Sequence, residues 1–311
     1  MRIAVTGASG RLGRSVTAVL RGAGHRVLSI DRTLIPGDEG EAVDLTDAAA
    51  TEDVFARFEP DAVVHLAAIA VPFSAPERTI FATNTGMAFT VIEAAVAAGA
   101  TRVLVASSPT VLGYGGADWA PARLPLDEHE ERRPTNGYAL SKVCVEDTVE
   151  MFARTNPGVR LASFRPCYVI APDEWAGVPT QQGHTIIERL ERPEFAAVSL
   201  FNYLDGRDAG EFVDAWLRAD DAPSGARYFV SAADALALRP LSELLPAFHP
   251  GTAPLADALR GTASAFSSDA AFRDLGWTAS RSWRTELPAD EVARLEASVL
   301  ELSLETERSA S

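Results

Sequence analysis

Residues 2–13 read RIAVTGASGRLG, an apolar run followed by Gly7, Gly10 and Gly13 at three-residue spacing. The run predicts a buried strand over 2–6 that stops at Gly7. Past Gly10, the apolar positions Leu12, Val16, Val19 and Leu20 recur at helical spacing, and a second strand over 26–30 ends at Asp31. The order is strand, glycine-rich turn, helix, strand. In such a unit the first glycine permits the tight turn and the second removes a side chain where a pyrophosphate approaches. The third lets helix and strand pack closely, and the helix N-terminus presents free N–H groups to phosphates. The stretch therefore predicts a nicotinamide dinucleotide, NAD, as cofactor, with Gly7, Gly10, Arg11, Leu12 and Gly13 forming the phosphate turn.

The alternation continues outward. Helices are expected over 48–58, 83–98 and 137–153, and buried strands over 62–66 (AVVHL), 102–107 (RVLVAS) and 159–164. Apolar strands separated by helices of this length require a parallel sheet covered on both faces, an α/β Rossmann fold. Beyond Arg165 the pattern loosens, with Gly and Pro frequent over 172–183 and a loop, DDAPSG, at 220–225. This predicts a NAD-binding domain over 1–165. Residues 166–311 are expected to form mainly a small, irregular substrate lobe, with some segments returning to the first domain. The polar end SLETERSAS, 303–311, is expected to fray.

The 311 residues carry 43 acidic against 28 basic side chains, a formal charge of -15, which repels nucleic acid in the absence of a basic patch. Two cysteines, Cys144 and Cys167, are too few for a disulfide framework and predict free thiols in a cytoplasmic protein. The N-terminus starts a strand at once rather than a signal peptide, and no run of eighteen apolar residues predicts a membrane span. The five histidines are scattered, no metal site is expected, and His65 reads as packing beneath the cofactor.

Asp31, 18 residues past Gly13, is placed to accept from ribose hydroxyls and to repel a 2′-phosphate, which favours NAD over NADP; the adjacent Arg32 is the residue that would instead meet such a phosphate. Asp44, with Leu45, either meets the adenine amino group or belongs to the cap region of the 48–58 helix. Tyr138 and Lys142, in NGYALSK, lie four apart on one helical face. An ammonium beside a phenol stabilises the phenolate, which would make a base for removing a hydroxyl proton. The 102–107 strand delivers Ser107 and Ser108 to the C-terminal edge of the sheet, where Ser108 either hydrogen-bonds a substrate oxygen or caps the strand end.

These residues carry a family likeness. The chain resembles an extended short-chain dehydrogenase/reductase of the NAD-dependent epimerase/dehydratase type, through GASGRLG at 7–13, HLAA at 65–68, SSPTVLG at 107–113 and YALSK at 138–142. Weaker likenesses are GRDAGEFV at 206–213 and FRDLGW at 272–277. The resemblance implies that Leu66, Ala67 and Ala68 pass under the cofactor and that Asn84 belongs to the following helix of the same site. It also implies that Ser108 orients the substrate, Tyr138 is the general acid/base and Lys142 tunes it. In the family the helices matching 83–98 and 137–153 form a dimer contact, so a homodimer is expected.

Two departures bear on substrate. RPCYVIAP at 165–172 has Tyr168 where sugar-nucleotide members commonly carry an asparagine, and the stretch from Pro172 to the GRD segment is short. The expectation is a small sugar or sugar acid, oxidised as in uronate dehydrogenases, which share the SSxxxxGY pattern seen here as SSPTVLGY. Arg165 either meets a substrate carboxylate or forms a structural ion pair, and Tyr114, Trp119 and Arg123 lie on a loop that either stacks on a sugar or closes the lid. The competing readings are a nucleotide-sugar epimerase/dehydratase with tightly bound NAD, and a non-enzymatic redox-sensing dinucleotide-binding protein.

Overall fold

Alternation along β1 (Arg2–Thr6) decides the layering, since Ile3 and Val5 enter one apolar core and Ala4 enters another, all without solvent contact. The computed structural model describes residues 1–35, 39–116 and 118–298, so the tail at 303–311 lies outside the described residues. Around β1 lie β2 (Arg26–Asp31), β3 (Gly40–Ala42), β4 (Ala62–His65), β5 (Arg102–Ala106) and β6 (Arg160–Pro166). A separate parallel pair is β7 (Val169–Ile170) with β8 (Leu204–Asp205), and β9 (Ala226–Val230) returns to the main sheet. That sheet has seven strands, all parallel, in the order β3-β2-β1-β4-β5-β6-β9. The expected α/β Rossmann architecture is present.

Both faces are covered. α1 (Arg11–Gly22) contributes Val16 and Leu20 to the first core. On the opposite face, α2 (Ala48–Phe58), α3 (Glu77–Ala97) and α4 (Gly137–Thr155) bury Phe55, Val91, Ile92, Val145 and Val149. Three short helices, α5 (Pro172–Trp175), α6 (Ile186–Glu191) and α7 (Pro193–Ala197), precede α8 (Gly206–Arg218), which packs on α1 through the core of Phe212 and Trp216. A third cluster, with Ile170, Trp175, Ile186, Leu190 and Trp283, holds α5 and α6.

Several boundaries differ from the sequence reading. α3 begins at Glu77 rather than 83, because Pro76 is its N-cap, with a carbonyl that accepts from the Ile80 N–H at 3.1 Å, and Ile80 is already buried. α3 has the length and apolarity of a membrane span, yet its buried stripe, which includes Asn84, packs on the sheet and α4 as a core helix does. The cap of α2 is Asp47, whose carboxylate accepts from the Ala50 N–H at 3.1 Å, and not Asp44. Asp44 instead closes its own turn, accepting from the Thr46 N–H at 3.0 Å and the Thr46 hydroxyl at 2.7 Å.

Strand order reverses between β1 and β4, so the loops leaving their C-terminal ends diverge and open a crevice. The glycine turn forms its floor. Gly7 sits at φ +69°, where a Cβ would stand 2.6 Å from the Ala67 nitrogen, and a Cβ on Gly13 would stand 2.0 Å from the Gly7 carbonyl oxygen. Only glycines let the turn nest between α1 and the end of β4.

Candidate functional site

The crevice continues into a cleft of about 670 Å³ that runs from the glycine turn to the wall made by β5, α4 and the segments after β6. At its first end lie Gly7, Gly10, Arg11, Leu12 and Gly13, with Asp31 and Arg32 from the end of β2. Asp44 and Leu45 line the same end, and Leu66, Ala67 and Ala68 form the far side. Gly10 supplies no side-chain cap to α1, so the first-turn N–H groups point out unopposed, and the Ser9 hydroxyl is buried without a partner. An uncapped helix end and an orphaned hydroxyl beside a glycine turn suit an anion such as a pyrophosphate.

The other residues at this end have defined partners. One Asp31 oxygen accepts from the Ser9 N–H at 3.0 Å, which ties the turn to β2. The Asp44 carboxyl is held below its usual range chiefly by the Thr46 hydroxyl and N–H. The Arg11 guanidinium reaches across to Glu174 at 2.5 Å and to the Val169 carbonyl at 3.1 Å. Asn84 stands behind the cleft wall, not on it. Its amide accepts from the Ile69 N–H at 2.8 Å and donates to the Ile69 carbonyl and the Ser141 hydroxyl, both at 3.2 Å, so it pins the loop after β4 between α3 and α4.

The opposite wall brings Ser108, Tyr138 and Lys142 together, each buried and each touching the cleft. Asn136 caps α4 by accepting from the Ala139 N–H at 2.8 Å, which fixes Tyr138 in the first turn and Lys142 one turn on. β5 ends at Ala106, whose carbonyl accepts from Lys142 Nζ at 2.8 Å. Ser108 then caps a 3₁₀ turn, Pro109–Leu112, accepting from the Thr110 N–H at 3.3 Å and the Thr110 hydroxyl at 2.9 Å.

The electrostatics differ from the sequence expectation. Burial raises the Tyr138 phenol above its ordinary value, opposed by the Ser108 hydroxyl beside it, so the phenol is not acidified as the Tyr/Lys spacing alone implied. Lys142 is lowered to about 8 by burial, with the Glu146 charge pulling the other way. Its Nζ is committed to the Ala106 carbonyl and lies 5.9 Å from the Tyr138 ring centre, which explains why dehydration outweighs the ammonium. His65 is held neutral by burial, down to about 3, with Nδ1 2.7 Å from the Thr6 hydroxyl. Cys144 and Cys167 are free thiols, and burial pushes Cys167, on the cleft wall, up to about 12.

Arg165 is not on the cleft. It has no solvent exposure and forks onto Glu146, Nε to Oε1 at 2.7 Å and Nη2 to Oε2 at 2.9 Å, so the structural ion pair replaces the carboxylate-binding role. The loop aromatics also separate: Trp119 is buried against Tyr114 and His249, Tyr114 alone of the two lines the cleft, and Arg123 pairs with Asp127 at the surface.

Sequence reasoning missed Glu146. It is fully buried and accepts from the Ser107 hydroxyl at 2.6 Å as well as from Arg165, with Arg132 at 3.4 Å and Arg227 at 3.9 Å. It therefore binds α4 to the ends of β5 and β6, the strands beside the wall that carries Ser108, Tyr138 and Lys142. Its signal was the helical repeat itself: Tyr138, Lys142 and Glu146 follow each other at i, i+4 and i+8 on one face.

The NAD dependent epimerase/dehydratase family matches residues 3–232. The chain belongs to this family. The chain is 33% identical over 180 residues to an L-arabinose 1-dehydrogenase (NAD(P)(+)) of Haloferax volcanii, covering 56% of this chain and 69% of that one. It is 31% identical over 154 residues to a uronate dehydrogenase of Pseudomonas syringae pv. tomato, covering 49% and 54%. The chain spans about half the length of the first curated relatives it matches. A short-chain dehydrogenase/reductase superfamily protein from Agrobacterium tumefaciens, solved with bound NAD, superposes with a TM-score of 0.70 at 22% identity, over 97% of this chain and all of that one, which supports the fold.

Proposed function

We propose that this family member is an NAD-dependent dehydrogenase that oxidises a hydroxyl of a small free sugar or sugar acid. The observation that carries the reading is the convergence of Ser108, Tyr138 and Lys142 on one cleft wall, opposite a glycine turn built for a pyrophosphate. In this reading NAD supplies the hydride acceptor. Tyr138 takes the hydroxyl proton, Ser108 orients the same oxygen, and Lys142 steadies the charge that develops on the phenol. The Ser108 oxygen already accepts from Thr110, which leaves its own proton to face a substrate oxygen. Likeness to two sugar dehydrogenases supports the substrate class.

Absorbance at 340 nm, with NAD and a panel of aldoses and uronates, tests the reading: at least one sugar is expected to reduce the cofactor. A nucleotide-sugar epimerase is the second reading, favoured by the UDP-glucose 4-epimerases among the relatives. It requires NAD to copurify and no net reduction with any free sugar.

Asp31 is read as the coenzyme selector. Replacing it by Ser removes the charge that opposes a 2′-phosphate and leaves Arg32 to meet one, so the ratio of kcat/KM for NADP over NAD is expected to rise about tenfold or more. An unchanged ratio would remove Asp31 from that role. A homodimer belongs to the same proposal: Phe89 on α3 and Leu140 on α4 are both exposed apolar side chains. Light scattering at micromolar concentration is expected to give twice the chain mass.

A further inference from the structure

Arg189, on α6, has no solvent exposure and no carboxylate bound to it among the described residues. Its Nη1 donates to the Gln182 side-chain oxygen at 2.5 Å, while Nε and Nη2 have no partner. The carboxylate whose field it feels, Glu174, is committed elsewhere: its oxygens hold Arg11 and the Ala171 N–H. A buried guanidinium with two unmet donors and no counter-charge is costly unless something anionic meets it.

The surroundings say where that anion comes from. The guanidinium lies 4.2 Å over the ring of Tyr168, and both Tyr168 and Gln182 line the cleft beyond the reactive wall. The Tyr168 hydroxyl is itself buried without a partner, as is the Thr180 hydroxyl, which lies in the closed turn that carries Gln182. The unmet groups on Arg189 and Tyr168 are therefore two guanidinium N–H directions and a hydroxyl, a set that suits an acceptor-only ligand. The Nε/Nη2 edge of an arginine matches two oxygens of a carboxylate or phosphate. Gln182, on the cleft wall, is exposed and loop-borne, so the side chain that holds Nη1 is free to shift while the Nε/Nη2 edge is already without a partner.

We propose that Arg189, with Tyr168, is the anion-recognising group of the substrate end, taking a carboxylate or phosphate substituent of the sugar on its Nε/Nη2 edge. The assignment rests on the sugar-dehydrogenase reading for its substrate and on the orphaned donors for its charge. It also accounts for Tyr168, the position that the sequence singled out and the catalytic wall does not use.

The test compares sugars that differ only at carbon 6, D-galactose, D-galacturonate and D-galactose 6-phosphate, and the corresponding gluco series, in wild type, Arg189→Met and Arg189→Lys. In wild type, kcat/KM is expected to favour one anionic form by about tenfold or more, and which form it favours separates carboxylate from phosphate. Arg189→Met is expected to lose that preference mainly through KM, with Arg189→Lys intermediate. Thermal melting gives a second readout. The same anionic sugar should raise the wild-type melting temperature and not that of Arg189→Met, while the ligand-free Met variant should melt at or above wild type because an uncompensated charge has gone. Turnover of neutral and anionic sugars alike, with no anion-dependent melting shift, would overturn the subsite and leave the dehydrogenase reading standing. An anion-dependent shift lost in the variant, with no sugar reducing NAD, would keep the subsite and remove the dehydrogenase reading.

Discussion

Tyr138→Phe is expected to lower kcat for sugar oxidation by about 10²- to 10⁴-fold, the usual worth of a positioned proton acceptor. Phenylalanine fills the same buried space on α4, so NAD titration of the variant should match wild type, which separates lost chemistry from lost structure. The pH profile carries the sharper signature. Burial raises the phenol above its ordinary value and lowers Lys142 to about 8, so Lys142 is the first of the two to lose its proton as pH rises. Oxidation needs the phenol without its proton. Wild-type kcat/KM for oxidation is therefore expected to keep climbing with pH toward the raised phenol value, without levelling off near 8, and reduction to run the opposite way. In Tyr138→Phe the residual rate should lose that limb. A variant with wild-type kcat would remove Tyr138 from the proton transfer altogether.

The second large effect is on stability. Glu146→Met leaves Arg165 without solvent and without its carboxylate, and breaking a buried pair from one side costs about 3–5 kcal/mol. The urea midpoint should fall accordingly. Replacing both partners by methionine is expected to recover most of the loss, because the same pair costs desolvation when present. Non-additivity of that size in the double variant is the measurement that distinguishes a coupled pair from two independent packing defects. The pair also sets an acid limit. Arg165 and the Ser107 hydroxyl hold the Glu146 carboxyl below its ordinary value against burial. Its contribution is thus full above the ordinary glutamate range and is lost as pH falls through the depressed value. Wild type should lose stability on acidification more steeply than the double variant.

These effects explain why Arg165 was ambiguous in the sequence. Both faces of a parallel strand are covered, so an arginine at the end of β6 faces either the ligand crevice or the helix layer, and strand periodicity does not say which. The choice belongs to Glu146, 19 residues earlier on α4, which only the fold brings alongside. Trp119 is a similar case: an aromatic in a long loop reads as a lid until Tyr114 and His249 are seen around it. The lowered phenol expected from the Tyr/Lys spacing failed for a related reason. Sequence spacing places the two side chains on one face, but their dehydration depends on what the sheet lays over them.

What the sequence determined by itself is what local periodicity and turn chemistry control. The parallel α/β layering follows from apolar strands spaced by helices. The nested glycine turn follows from three glycines between a strand and a helix, and the shared face of Tyr138 and Lys142 from one helical turn. Each of these depends on residues within a few positions of each other. Tertiary structure alone decided the rest: β9 joining the sheet edge, Asn84 bracing the loop after β4, Glu146 joining three elements, and Arg189 left without a carboxylate among the described residues. Burial and charge pairing are set by residues distant in the chain, and a buried polar group declares its partner, or the want of one, only when the surrounding elements have closed around it.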